Sequence, residues 1–100
     1  MIIANTTFVV PENRYGEFVE WGNTVYLDSI RKAGIFSGET MAKVLTFIEP
    51  GTVSVAIQAR AESLDEAQRW FDETASALHG ALHQRFNQQL LFFTTFMEVL

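Results

Sequence analysis

Apolar positions change period along the chain in a way that marks out six elements. From Ile2 to Val10 the residues are β-branched or aromatic with no helical period, which predicts a first strand ended by Pro11. Asn13 then offers a cap for a helix running to about Ala33. Tyr15, Phe18, Val19, Gly22, Val25, Tyr26, Ser29, Ile30 and Ala33 recur there at three- and four-residue steps, and Gly34 supplies the stop. Glu12 and Glu17 at its start and Arg31 and Lys32 at its end complement the helix dipole. Thr40–Ile48 and Thr52–Ala61 read as two strands joined through Glu49-Pro50-Gly51, a hairpin. Ser63 and Glu66 have capping-box spacing ahead of a second amphipathic helix carrying Leu64, Ala67, Trp70, Phe71, Thr74, Ala75 and Leu78. This helix is expected to end near Leu78 or Leu82, around Gly80. Leu90–Val99 is a last strand, apolar at nearly every position.

The order βαββαβ predicts an α+β fold. It is that of a ferredoxin-like sandwich, a four-stranded antiparallel sheet with both helices on one face and the first and third strands in the centre. Residues 1–100 are expected to form a single domain.

One face of such a sheet normally meets water, and its strands then alternate. The third strand does, with Val53, Val55, Ile57 and Ala59 set against Ser54, Ala56, Gln58 and Arg60. The last strand does not. Leu91, Phe93, Thr95, Met97 and Val99 share one face, and Leu90, Phe92, Thr94, Phe96 and Glu98 the other. Leu90, Phe92 and Phe96 are expected on the open face, where they would form a partner-type patch. The cover available without extra chain is the sheet of a second copy, so a homodimer is predicted.

Composition narrows the function classes. The chain has 100 residues, 48% of them apolar, no cysteine and a formal charge of −5. Twelve acidic residues against seven basic ones argue against a nucleic-acid partner. No stretch reaches the roughly 18–20 apolar residues of a membrane span, and no targeting signal opens the chain, so a cytoplasmic setting is expected. Lack of cysteine excludes disulfides and thiolate metal sites.

Ile2-Ile3-Ala4-Asn5-Thr6-Thr7-Phe8, Phe18-Val19-Glu20-Trp21, Ser54-Val55-Ala56-Ile57-Gln58 and the ending Phe92-Phe93-Thr94-Thr95-Phe96-Met97-Glu98-Val99-Leu100 resemble a family of small bacterial proteins. It is a domain of unknown function common in Bacteroidetes, and the resemblance runs from end to end. That family is similar to the dimeric α/β-barrel superfamily, whose ferredoxin-like protomers pair face to face. The superfamily includes cofactor-free monooxygenases, haem-degrading enzymes, muconolactone-isomerase-like proteins and ligand-binding regulators. The resemblance implies architecture and dimerisation, and it transfers no catalytic residue.

Candidate chemistry is sparse. Asn5, Thr7, Gln58 and Arg60, joined by Lys43, Ser54, Thr94 and Glu98, could converge between two sheets in a pocket walled by Phe92 and Phe96. Arg60 could hold a carboxylate or phosphate there. The plainer reading is that these polar groups pair across the dimer. His79 and His83 stand four apart, as two metal ligands would, with Asp72 and Ser76 on the same stripe. A solvated helix end accounts for them better, and no metal or cofactor is expected. Trp21 and Trp70 read as core, and adjacent Asp72 and Glu73 diverge too far for an acid–base pair. The expectation is therefore a homodimeric domain that binds a small apolar or anionic ligand between sheet faces. The alternative is a cofactor-free monooxygenase- or isomerase-like enzyme.

Overall fold

The computed structural model describes residues 1–46, 49–87 and 89–100. Strands β1 (Ile2–Pro11), β2 (Phe36–Lys43), β3 (Thr52–Ala61) and β4 (Leu91–Glu98) form one antiparallel sheet in the order β2-β3-β1-β4. Helix α1 (residues 15–33) joins β1 to β2 and helix α2 (residues 64–85) joins β3 to β4. This is the ferredoxin-like α+β arrangement, with β1 and β3 central.

Strand β1 alternates strictly, burying Ile2, Ala4, Thr6, Phe8 and Val10 under the helices and leaving Ile3, Asn5, Thr7 and Val9 half-covered on the other side. Its register carries that alternation to both neighbours, because residues opposite one another in a ladder share a face. Phe8 stands opposite Val55 and Phe92, and Ala4 opposite Ala59 and Phe96. Leu90 is buried as well. Leu90, Phe92, Thr94 and Phe96 therefore do not lie on the open face, where they were expected. Leu91, Phe93, Thr95 and Met97 lie there instead, with Leu91 67% and Phe93 58% exposed. Both faces of β4 are apolar, so its own pattern carries no face information, and pairing with β1 decides the matter.

Strand β2 also departs from expectation. It starts at Phe36 rather than Thr40 and ends at Lys43, although Val44 N–H still donates to Ser54 O at 2.8 Å. A bulge between Ser37 and Thr40 contains Gly38 at φ +60°, which starts the strand earlier than its apolar run suggests. The predicted end at Ile48 lies outside the described residues. The Pro50-Gly51 turn forms, with Thr52 N–H donating to Glu49 O and Gly51 at φ +80°.

Each helix contains one widened turn of i→i+5 type, Gly22–Tyr26 in α1 and Phe71–Ala75 in α2. Residues five apart on a regular helix diverge by about 140°. Across these turns Trp21 and Tyr26 are both buried, as are Trp70 and Ala75, whereas Val25 is exposed. Gly22 sits where α1 approaches β2; a Cβ there would fall 2.7 Å from the Met41 sulfur. Helix α1 is preceded by a short 3₁₀ turn at Glu12–Arg14, and no side chain caps either start, so Asn13 is not the cap. Ser63 does cap α2, accepting from Glu66 N–H at 3.3 Å. Helix α2 runs through Gly80 to Arg85, past the predicted end. Arg14 ties the ends of the two helices together by bonding the Glu17 carboxylate at 2.7 Å and the Arg85 carbonyl at 3.0 Å.

The core is aromatic and centres on Phe8, which is fully buried. Its ring centroid lies 5.0 Å from Phe18, 5.7 Å from Tyr26, 5.7 Å from His79 and 5.9 Å from Phe92. Phe8→Ala is expected to cost about 3–5 kcal/mol. A urea unfolding midpoint close to wild type would show that the packing around Phe8 is not what holds the helices to the sheet.

Candidate functional site

The register of α2 downstream of its widened turn brings a histidine to the inner side. His79 is only 7% exposed, and its Nε2 lies 2.9 Å from the Tyr26 hydroxyl of α1. Its ring is 4.6 Å from Phe92 and runs nearly parallel to Tyr26. Thr6 Oγ1 of β1 and Thr94 Oγ1 of β4 are 2.9 Å apart, a second polar pair on the helix side of the sheet. His79 also borders the space outside.

That space is an open groove of about 480 Å³ between α2 and β4. Phe71, Phe92 and Phe96 form its apolar lining, with the Phe71 and Phe96 rings 5.3 Å apart. His79 and Thr94 supply the polar floor, and Asp72, Ser76, Gly80 and His83 complete the wall from α2. An apolar cleft with a few converging polar groups is the usual form of a small-molecule site.

Burial among aromatic rings controls the electrostatics. It pushes the His79 imidazole down to about 4, so the ring is neutral at ordinary pH. It raises the Tyr26 phenol well above its usual value, against a smaller opposing effect from Thr6. The pair is therefore two neutral groups that share one hydrogen bond.

The predicted site residues divide between the two sides of the sheet. Asn5, Thr7, Gln58 and Arg60 lie on the open face, where Asn5 stands opposite Gln58 and donates to Thr7 Oγ1 at 3.1 Å. Phe92 and Phe96 lie on the helix side and line the groove, so no one pocket within a protomer holds all six. Thr94 shares the helix side, and Lys43, opposite Val55, does too. His79 and His83 stand on one unbroken helix, but His79 turns its Nε2 to Tyr26, and no third His, Asp or Glu joins them among the described residues. Sequence reading missed Tyr26 and His79 as a pair. A regular helical period assigns Leu78 to the inner stripe; the extra residue in the turn at Phe71–Ala75 brings in His79.

The match to known proteins covers the whole chain. Residues 1–100 match the model of the family described as Domain of unknown function (DUF4286). The chain belongs to this family. No curated protein matches it. Among solved structures it is similar to a provisionally assigned antibiotic biosynthesis monooxygenase from Deinococcus radiodurans, with TM-score 0.75 and 12% identity over 99% of this chain and 92% of that one. It is also similar to a dimeric ferredoxin-like protein from an uncultured marine organism, with TM-score 0.69 and 11% identity over 100% of this chain and 95% of that one. HapK from Hahella chejuensis gives TM-score 0.69 and 12% identity over 100% and 93% of the two chains. At these identities the likeness is one of fold.

The site predicts a pH dependence. His79 has a folded pKa of about 4 against an ordinary 6.5, so between these values the unfolded chain binds the extra proton. Stability should therefore fall as pH drops through that window, by at most about 3 kcal/mol from this residue. Denaturant titrations at pH 7 and pH 4 should show the loss, and His79→Gln should reduce it. An equal loss in that variant would mean His79 is not its source.

Proposed function

We propose that the protein is a homodimer paired through the open faces of its two sheets, with a small-molecule site in the α2–β4 groove of each protomer. The observation that carries this reading is the double role of β4. One face, with Phe92, Thr94 and Phe96, lines the groove, while the other presents Leu91, Phe93 and Met97 bare. A row of exposed apolar residues on a sheet face is a partner surface, and a structural neighbour described as dimeric has the same protomer fold. Two-fold pairing puts the same residues on both sides of the interface, so each apolar side chain counts twice.

Within that dimer Asn5, Thr7, Gln58 and Arg60 fall at the sheet-to-sheet junction. There they orient the pairing or hold an anionic group. The groove suits a small, flat, apolar ligand that presents one polar group to His79 and Thr94. Among the described residues no lysine or arginine lines it, so a neutral ligand fits it better than an anionic one. A cytoplasmic dimer fits a chain without cysteine.

Light scattering should give twice the chain mass, and native mass spectrometry of the purified protein should report the dimer together with any co-purified small molecule. Phe93→Glu should raise the dimer dissociation constant by tenfold or more while leaving the circular dichroism spectrum unchanged. A wild-type monomer, or a dimer indifferent to Phe93→Glu, would refute pairing through this face.

A further inference from the structure

Strand β4 is an edge of the sheet, with β1 as its neighbour among the described residues. Val99 N–H donates to Met1 O at 2.9 Å, and this bond fixes the phase of the β1–β4 ladder. In an antiparallel pair every second residue turns its N–H and C=O to the partner strand, and the residues between turn theirs away. With Val99 bonded to Met1, the register assigns Met97, Thr95, Phe93 and Leu91 to β1. Phe92, Thr94 and Phe96 therefore direct their main-chain donors and acceptors outward, along the free edge. Their side chains line the groove. The same three residues thus offer an apolar wall and an open hydrogen-bonding edge.

We propose that the groove binds a capped aromatic amino acid, an N-acylated amino acid amide, as one added residue of sheet beside Thr94. The inference rests on the groove being a small-molecule site and names the class of ligand it takes. A residue paired with Thr94 donates its N–H to Thr94 O and accepts Thr94 N–H at its own carbonyl. That is the exchange made by a hydrogen-bonded pair in an antiparallel ladder. Residues opposite one another share a face, so the ligand's side chain enters on the helix side, between Phe92 and Phe96 and across from Phe71. Phe71 and Phe96 stand edge to face at 5.3 Å, an arrangement that a third ring extends. Main-chain pairing together with a pocket for one side chain is how an extended segment is recognised at a sheet edge. Charge and donor count select the capped form. Among the described residues the groove wall holds Asp72 and no lysine or arginine, so a free carboxylate would have no counter-ion there. Thr94 O calls for one in-plane donor, which an acylated nitrogen supplies.

The test uses N-acetyl-phenylalaninamide, with binding measured by equilibrium dialysis and amide hydrogen exchange by nuclear magnetic resonance. In the free protein the outward Thr94 N–H should exchange faster than Thr95 N–H, which faces β1. When nine-tenths of the protein is occupied, Thr94 exchange should slow about tenfold, since only the free fraction exchanges. A probe methylated on the phenylalanine nitrogen lacks the donor and should bind about tenfold more weakly. N-acetyl-phenylalanine, with its free carboxylate, should also bind more weakly than the amide. Binding that leaves Thr94 exchange unchanged, or equal binding of the methylated probe, overturns the edge pairing and leaves the groove a small-molecule site. No binding of the probe overturns the inference as well, while the small-molecule reading then rests on native mass spectrometry. Thr94 exchange that is already slow in the free protein, and slows further as the protein is concentrated, assigns the edge to a second copy and likewise overturns it.

Discussion

Phe8 stands at the middle of the central strand, and both helices have to cover it. An aromatic ring so completely buried needs partners from several directions, and here they come from α1, α2 and β4 at once. The widened turns serve that demand. In α1 the turn lets Trp21 and Tyr26 both face the Phe8 ring, and in α2 it brings His79 to the same ring. A regular helix at either place would rotate one of these side chains away. The extra residue costs helical hydrogen-bond geometry over one turn, and the burial of large rings offsets it.

The same constraint explains why a polar pair occurs inside an apolar core. Once the turn in α2 has rotated position 79 inward, its side chain faces Phe8, Phe71, Tyr26 and Phe92. A histidine there has to be neutral and has to find a partner for its buried nitrogen. Tyr26 supplies one. Thr6 would be out of place at the centre of a sheet core but for Thr94, whose hydroxyl lies 2.9 Å from its own.

Particular residues show what the sequence could and could not reveal. Element order, strand β3, the Ser63 cap and the Gly34 stop were legible because each depends on residues near it in the chain. In α1 the stripe was legible on both sides of the widened turn, since Tyr26 and Ile30 are buried where the period places them. In α2 Ala67, Trp70 and Ala75 fit the stripe and Leu78 packs against the core, but His79 is drawn in as well beyond Phe71–Ala75, and nothing in a 3.6-residue pattern announces that. The face of β4 was not legible at all. Phe92 and Phe93 are equally apolar, and only the register against Phe8 separates a groove wall from a bare surface. That register also divides the predicted site, leaving Asn5 and Gln58 on one side of the sheet and Phe92 and Phe96 on the other.

The two edges of the sheet are finished differently, and this bears on how the two sides of β4 relate. Strand β2 is broken by its bulge at Ser37/Thr40, carries Gly38 in a left-handed conformation, and bears Glu39 and Lys43, all features that discourage a further strand or sheet from joining it. Strand β4 pairs with β1 in unbroken register from Leu91 to Glu98 and carries one charge, at its last residue. It is also the strand whose inner face holds Thr94 and the two phenylalanines of the groove. A partner seated on Leu91, Phe93 and Met97 would immobilise the backbone that positions Thr94 opposite Thr6. Dimerisation would then restrict the motion of one groove wall without touching the groove, because alternate residues of a single strand serve the two surfaces.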